Sequence, residues 1–296
     1  MKGRWDERED VEAMKEIGGR RPKVGLSVWL LCTVGLGTVY FPLLLIVSRS
    51  FQVAPPSVSV SVFGSLWTLK WYESLFANTS LGPSLWLSFK IAVLSSSLSL
   101  VVGTWTALTL VRSKGPLKAF LLTGIHSILV LPDLVLGIAL LIWFSFCKIG
   151  LGPLSMILAH ATFSLSYAVL SVAARLRSMD PYLIDAAKDL GASRWQFFWW
   201  IVFPWLKPAL ASAAFLSFIF SFDDFVLSFL LSDPSPESQT LPLQLYAMAR
   251  HGVTGELYAL ATLLLSVTFL SVFFLVGMGK YRTAKETPHL SAVRNS

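Results

Sequence analysis

The sequence predicts an all-α membrane protein with six transmembrane helices, and three observations predict it. Of 296 residues, 54% are hydrophobic and only 14% charged, where a soluble domain carries roughly a quarter charged residues. The apolar residues gather into six continuous runs, each close to or above the ~20 residues that cross ~30 Å of hydrocarbon at 1.5 Å per residue. Lys and Arg are distributed unequally between the loops on the two sides of those runs, as topology requires. Continuous runs also exclude a β-barrel, whose strands alternate. Repeated spans in one bilayer make a single helical domain the simplest organisation.

Residues 1–27 form a tail dense in charge of both signs (Arg4, Asp6, Glu7, Arg8, Glu9, Asp10) that cannot insert. The run Val28 to Val47 is too long for a signal-peptide core and no small-residue cleavage site follows it, so it reads as an uncleaved first span. A long outer loop, Arg49 to Pro83, carries Pro55-Pro56, a Ser/Val stretch and a short surface helix around Thr68 to Phe76. The remaining spans are about Leu85 to Val111, Phe120 to Phe146, Leu151 to Ala174, Ala209 to Leu231 and Tyr258 to Gly279. The membrane domain is therefore 28–279, with a large loop at about 176–207 and a tail at 280–296. No internal repeat is evident.

With this map, 19 Lys and Arg lie on the side of the termini and four, Arg49, Lys70, Lys148 and Arg250, on the other. Lys90 sits near the outer start of the second span and can snorkel. The bias places both termini in the cytoplasm, and an even number of spans demands that they share a side. Trp67, Trp71, Trp86 and Trp143 near outer span ends and Trp29 at an inner end suit interfacial anchoring. The net charge of +7 is thus topogenic, and no basic module for nucleic acid is present. Cys32 and Cys147 fall near opposite membrane faces, which argues against a bridge and for inert, packed thiols.

The loop between the fourth and fifth spans differs from the rest. Asp180 is a good N-cap, Pro181 suits the first helical position and Gly191 a C-terminal stop, so a short helix runs from about Pro181 to Leu190. Ser193 and Gln196 then form a capping box. Trp195, Phe198, Trp199 and Val202 recur at helical spacing until Pro204 ends a second short helix. The aromatic second helix fits the bilayer surface. The first helix, with small Ala186 and Ala187 beside Gly191, offers a face for close docking by another protein.

Here a resemblance becomes specific. Asp185-Ala186-Ala187, three residues, Gly191, nine residues and Ile201-Val202-Phe203-Pro204 resembles the "EAA" loop of ABC-importer permease subunits. Asp185 stands where that pattern has Glu, and Phe203 where it has Leu. Leu131-Pro132-Asp133-Leu134-Val135, Ser221-Phe222-Asp223-Asp224-Phe225, Leu241-Pro242-Leu243 and Ala259-Leu260-Ala261-Thr262 are similar to the spermidine/putrescine permease group, in particular its C-type subunits. The resemblance covers most of the chain. It implies the type I ABC importer permease fold, with a coupling helix between spans four and five that docks on a separate ATPase. It also implies a second homologous permease subunit, an extracytoplasmic solute-binding protein and a site in the inner membrane. Asp185, Ala186, Ala187, Gly191 and Pro204 would form the coupling loop.

Ionisable residues inside spans are costly and face a cavity or a partner. Asp133 lies mid-span directly after Pro132, which kinks the helix there. Asp223 and Asp224 lie about 14 residues into the fifth span, ~21 Å from its inner end by helical rise. Neighbours on a helix point ~100° apart, so at most one of these two faces a path squarely. Two readings stand: Asp133 with Asp223 or Asp224 lines a route for a cation, or the acids cap a broken helix or pair with a partner. His126 and His160, within spans, suit interhelical hydrogen bonds, and Glu256 the first turn of the sixth span.

An enzyme is disfavoured: there is no G-x-S-x-G and no H-E-x-x-H, and the four histidines are scattered. No catalytic residue, metal site or cofactor is expected in this chain. There is no G-x-x-x-x-G-K-[ST] to hold ATP phosphates either, so hydrolysis belongs to another polypeptide. A stand-alone secondary carrier leaves the loop unexplained. An ABC permease for another small solute, such as an amino-acid derivative, a metal ion or an anion, is the open alternative to a polyamine.

Overall fold

The computed structural model describes residues 26–53, 67–180 and 182–270. The tails apart from Leu26 and Ser27, the Ser/Val stretch, Pro181 and the end of the predicted sixth span lie outside the described residues. Among the described residues the regular structure is helical, apart from one isolated bridge between Gln52 and Trp67.

The chain forms two compact units, residues 72–257 and the two flanking segments together. In the flanking unit, α1 (Leu26–Ser50) is a 25-residue apolar helix with Pro42 inside it. The turn after it is fixed by side chain and backbone: the Thr68 amide donates to the Phe51 carbonyl at 2.8 Å, and the Trp71 indole to the Gln52 carbonyl at 2.7 Å. Trp71 is thus a structural pin as well as an amphipathic ring. The expected short surface helix is α2 (Lys70–Ala77).

The larger unit is organised by α3 (Leu81–Arg112) and α6 (Pro153–Arg177). The buried side of α3 is rich in small residues, Ser84, Ser88, Ala92, Ser95, Ser99, Gly103 and Ala107 among them. In lipid there is no hydrophobic drive between helices, so close packing of small residues takes its place. Gly103 marks the tightest point, where an added Cβ would lie 2.8 Å from the Ala168 Cβ on α6. Towards one end of this pair Leu110, Val169, Val172, Val202 and Leu206 form a core; towards the other, Ile91, Met156, Ala159, Phe144 and Leu231 form a second.

The predicted third span is two helices, α4 (Gly115–Val130) and α5 (Asp133–Phe146), bent by 117°. The expected kink is therefore a full break. Leu131 and Pro132 are extended, and the Pro132 carbonyl starts α5 by accepting from the Val135 and Leu136 amides at 2.9 and 3.1 Å. Proline supplies no amide of its own to carry α4 onward. Among the described residues, four other helices are long and apolar enough to cross a membrane: α1, α3, α6 and one running from Arg194 to Asp223. The sixth predicted span is seen as α12 (Gly255–Leu270).

In the loop, α7 (Tyr182–Asp189) is followed by α8 (Arg194–Phe197), a π-helical turn over Phe198–Val202, and α9 (Phe203–Asp223). Pro204 does not end the second helix, which runs unbroken for 30 residues into the fifth span. The π turn explains why. The Phe203 amide reaches the Phe198 carbonyl, a wider register that absorbs the position where proline lacks a donor. The fifth span then breaks after Asp223 and resumes as α10 (Val226–Leu231), packed on α5 so closely that a Cβ on Gly137 would meet Leu230 at 2.5 Å. After a 3₁₀ turn, α11 (Leu241–Arg250) is tied to α3 by its Leu241 amide on the Ser88 hydroxyl at 2.8 Å.

Two local expectations need correction. Cys32, on α1, and Cys147, in the turn that follows α5, are exposed, not packed. His126 bonds its own helix, with Nδ1 2.6 Å from the Leu122 carbonyl, because its outward face meets no second helix.

Candidate functional site

The break between α9 and α10 gathers the polar groups of the membrane interior. Asp224 has extended backbone and its carboxylate turns inward. Its Oδ2 accepts from the Leu227 amide at 2.8 Å and the Ser228 amide at 3.2 Å, satisfying two otherwise orphaned donors at the start of α10. The same oxygen lies 3.5 Å from His160 Nε2 on α6. His160 is 1% exposed. Its Nδ1 is 2.8 Å from the Ser221 hydroxyl, which the Ser95 hydroxyl of α3 meets at 2.8 Å, and its Nε2 is 3.3 Å from the Ser228 hydroxyl. One connected network thus ties α3, α6, α9 and α10 together around the break.

Asp223 is arranged in the opposite way. It is the last residue of α9 and is exposed. The final carbonyls of α9 have no further helical turn to serve, and that end carries the negative pole of the helix dipole. A cation placed there would meet a carboxylate and a field of the same sign. Asp133 opens α5 and is also exposed. Asp223 adjoins Asp224 in the chain, and Asp133 opens α5, the helix on which α10 packs. The fold therefore brings the three predicted acids into one region, with two exposed and one committed to the scaffold. The partnership of His160 with Asp224 was not legible in the sequence, because the residues are 64 positions apart by their numbers and share no motif.

The loop forms the second feature. The Asp180 carboxylate accepts from the Tyr182 amide at 2.9 Å, and Gly191 adopts φ +75°, the left-handed stop that glycine reaches without strain. The capping box is complete: the Gln196 amide donates to the Ser193 hydroxyl at 3.3 Å, and the Ser193 amide to Gln196 Oε1 at 2.8 Å. Asp185 is exposed and pairs with Lys188 at 2.9 Å; Ala186 is exposed and Ala187 buried. Pro204 is exposed on α9. A latch the sequence did not reveal closes the loop. Arg175 Nε donates to the Trp205 carbonyl at 3.1 Å, the Trp205 indole donates to the Arg175 carbonyl at 3.2 Å, and the guanidinium lies 4.0 Å from the indole centre. The latch joins the two ends of the loop.

On the other side of the spans, Asp233 accepts from the Ser235 amide and hydroxyl. Hydrogen bonds from Ser235 hold its carboxyl below the usual carboxylate range.

Residues 99–281 match the family described as binding-protein-dependent transport system inner membrane component. The chain belongs to this family. It is 36% identical over 237 residues to the spermidine/putrescine transport system permease protein PotC of Escherichia coli K12, covering 79% of this chain and 86% of that one. It is 32% identical over 274 residues to the putrescine transport system permease protein PotI of the same strain, covering 86% and 94%. Among solved structures, a bacterial ABC transporter involved in alginate import aligns with TM-score 0.64 and 14% identity over 94% of this chain and 99% of that chain. The MetNI methionine transporter aligns with TM-score 0.56 and 16% identity over 66% and 92%. The fold is that of type I ABC importer permeases. As a member of the inner membrane component family, the chain is a membrane-spanning permease subunit.

Proposed function

We propose that this permease forms the translocation path for a polyamine such as spermidine or putrescine, and that Asp223 is the principal contact for an ammonium group, with Asp133 second. The observation that carries the reading is the division of the acids: Asp224 is consumed by two amides and a histidine, while Asp223 is exposed at the C-terminal end of a broken helix. An ammonium entering the membrane loses hydration that carboxylates and helix-end carbonyls can replace. Asp133 sits at a helix N-terminus, whose dipole partly offsets its charge and makes it the weaker cation site. The identities to PotC and PotI support a polyamine as the solute.

The energy comes from a separate cytoplasmic ATPase that docks on α7 through the exposed face bearing Asp185 and Ala186. The Arg175–Trp205 latch then carries its movement into α6 and α9 together. A second homologous permease subunit completes the path and an extracytoplasmic binding protein delivers the solute. Both termini are cytoplasmic, as the Lys and Arg distribution supports, and the chain itself needs no cofactor. Uptake by the reconstituted transporter tests the path: Asp223→Asn weakens apparent polyamine affinity strongly and Asp133→Asn less so. Unchanged affinity in Asp223→Asn would refute it.

A further inference from the structure

A cavity of about 890 Å³ lies between the inner end of α3 and the loop, away from the three acids of the proposed path. Its volume is within the range of sites that hold small ligands. Trp105, Leu108, Trp195 and Phe198 supply its apolar wall, with Trp105 and Phe198 stacked at 6.4 Å. Arg112, Lys188 and Arg194 line it as well, and no Asp or Glu does. Lys188 already has Asp185, but Arg112 and Arg194 form no ion pair among the described residues and are exposed. Trp195, Trp199 and Trp200 stand exposed beside it on α8 and the π turn. That is the aromatic composition of a membrane interface. Ala187 of α7 is buried and faces the cavity, whereas Tyr182, Leu183 and Leu190 are exposed and do not line it. Asp185 and Ala186 of the proposed docking face do not line the cavity; they adjoin it through Lys188, which lines it and pairs with Asp185.

We infer that this cavity binds an anionic phospholipid of the cytoplasmic leaflet, with its phosphate between Arg112 and Arg194 and its acyl chain along Trp105 and Phe198. The cavity complements such a lipid at headgroup level: an apolar wall, aromatic rims and two guanidiniums outside any ion pair, suited to a phosphate. A lipid held there bridges α3 to the loop and stiffens the coupling segment. The inference uses the cytoplasmic placement of the loop and holds whichever solute is carried.

The test is quenching of tryptophan fluorescence in the full chain, reconstituted in phosphatidylcholine vesicles that contain a minority of brominated phosphatidylglycerol or of brominated phosphatidylcholine. Quenching should favour brominated phosphatidylglycerol, and the Trp105→Phe/Trp195→Phe variant should lose that excess. Each cation near the surface is worth about a factor of five in anionic-lipid affinity, so Arg112→Gln/Arg194→Gln should lower the preference roughly 25-fold. Arg112→Lys/Arg194→Lys should keep most of it, and so should Lys118→Gln/Arg177→Gln, which removes two exposed cations outside the cavity. Equal loss in both glutamine pairs would reduce the effect to diffuse surface charge and overturn the site. So would an intact preference in Arg112→Gln/Arg194→Gln, or disappearance of the excess quenching when the transporter is assembled with its ATPase and partner permease, which would give the cavity to protein. The cytoplasmic placement is checked separately, by whether a membrane-impermeant thiol reagent reaches a cysteine placed at Lys118 only from the cytoplasmic side.

Discussion

Replacing Asp224 separates a scaffold role from a transport role, because the structure predicts a cost to the fold that Asp223 does not share. Asp224→Ala removes the acceptor of two backbone amides, at 2.8 and 3.2 Å, and the group facing His160 at 3.5 Å. Hydrogen bonds to a charged group contribute about 1.5–3 kcal/mol each, and orphaning a buried donor costs about 1–3 kcal/mol. These overlap, and hydrogen bonds inside membranes average well below their idealised worth, so a net loss of about 2–4 kcal/mol is expected. Asn keeps one carbonyl oxygen for the amides, so Asp224→Asn should lose about half as much. At roughly 2–4 °C per kcal/mol for chains of this order of size, Asp224→Ala should lower the thermal midpoint by about 5–15 °C. Asp223→Asn should leave it nearly unchanged, because Asp223 is exposed and anchors no helix. The assay is thermal unfolding of the purified full chain in one detergent. A midpoint for Asp224→Ala within about 1 °C of the parent, well short of that range, would refute the scaffold assignment.

Other perturbations read other parts of the account. Gly103→Val should push α3 away from α6, since even one Cβ falls 2.8 Å from Ala168, and overpacking of this kind costs about 1–3 kcal/mol; the thermal midpoint of the purified chain checks it. Trp205→Ala breaks both hydrogen bonds and the cation–π contact of the latch, so solute uptake should fall more than ATPase activity in the assembled transporter; an equal fall in both would contradict the latch's role in coupling. Ser193→Ala removes the capping box at a cost of about 0.5–2 kcal/mol, and amide exchange in the 193–197 turn should rise while that in α3 does not. Asp233 has a depressed folded pKa, so its contribution to the Ser235 turn is complete above the ordinary carboxylate value. That contribution is lost as pH falls through the depressed one. Protection of the Ser235 amide should follow that course, and Asp233→Asn should flatten it.

The architecture was legible wherever one physical signal dominated. Apolar run length located α1, α3 and α6, and Asp180, Gly191, Ser193 and Gln196 announced the loop's caps because capping is local chemistry. Pro132 signalled a disturbance but not its size: a proline can kink or break a helix, and the surrounding packing decides which. Pro204 misled for the same reason, since a π turn in the preceding residues removed the conflict that would have ended the helix. The small-residue side of α3 was written in the spacing Ser95, Ser99, Gly103, Ala107, one residue in four, but a scan for spans registers apolarity and not size. The acids stood out individually. Their separate roles did not, because adjacent Asp223 and Asp224 differ only through a backbone break and a histidine from a distant helix.

The central claim is that Asp223 meets the cation while Asp224 holds the break. Measured most directly, that is the apparent affinity for spermidine of the reconstituted importer with Asp223→Asn beside the parent, at matched protein stability. The account predicts at least a tenfold weakening, about 1.4 kcal/mol, with the thermal midpoint preserved. An unchanged affinity in Asp223→Asn, with transport still driven by ATP, would contradict it.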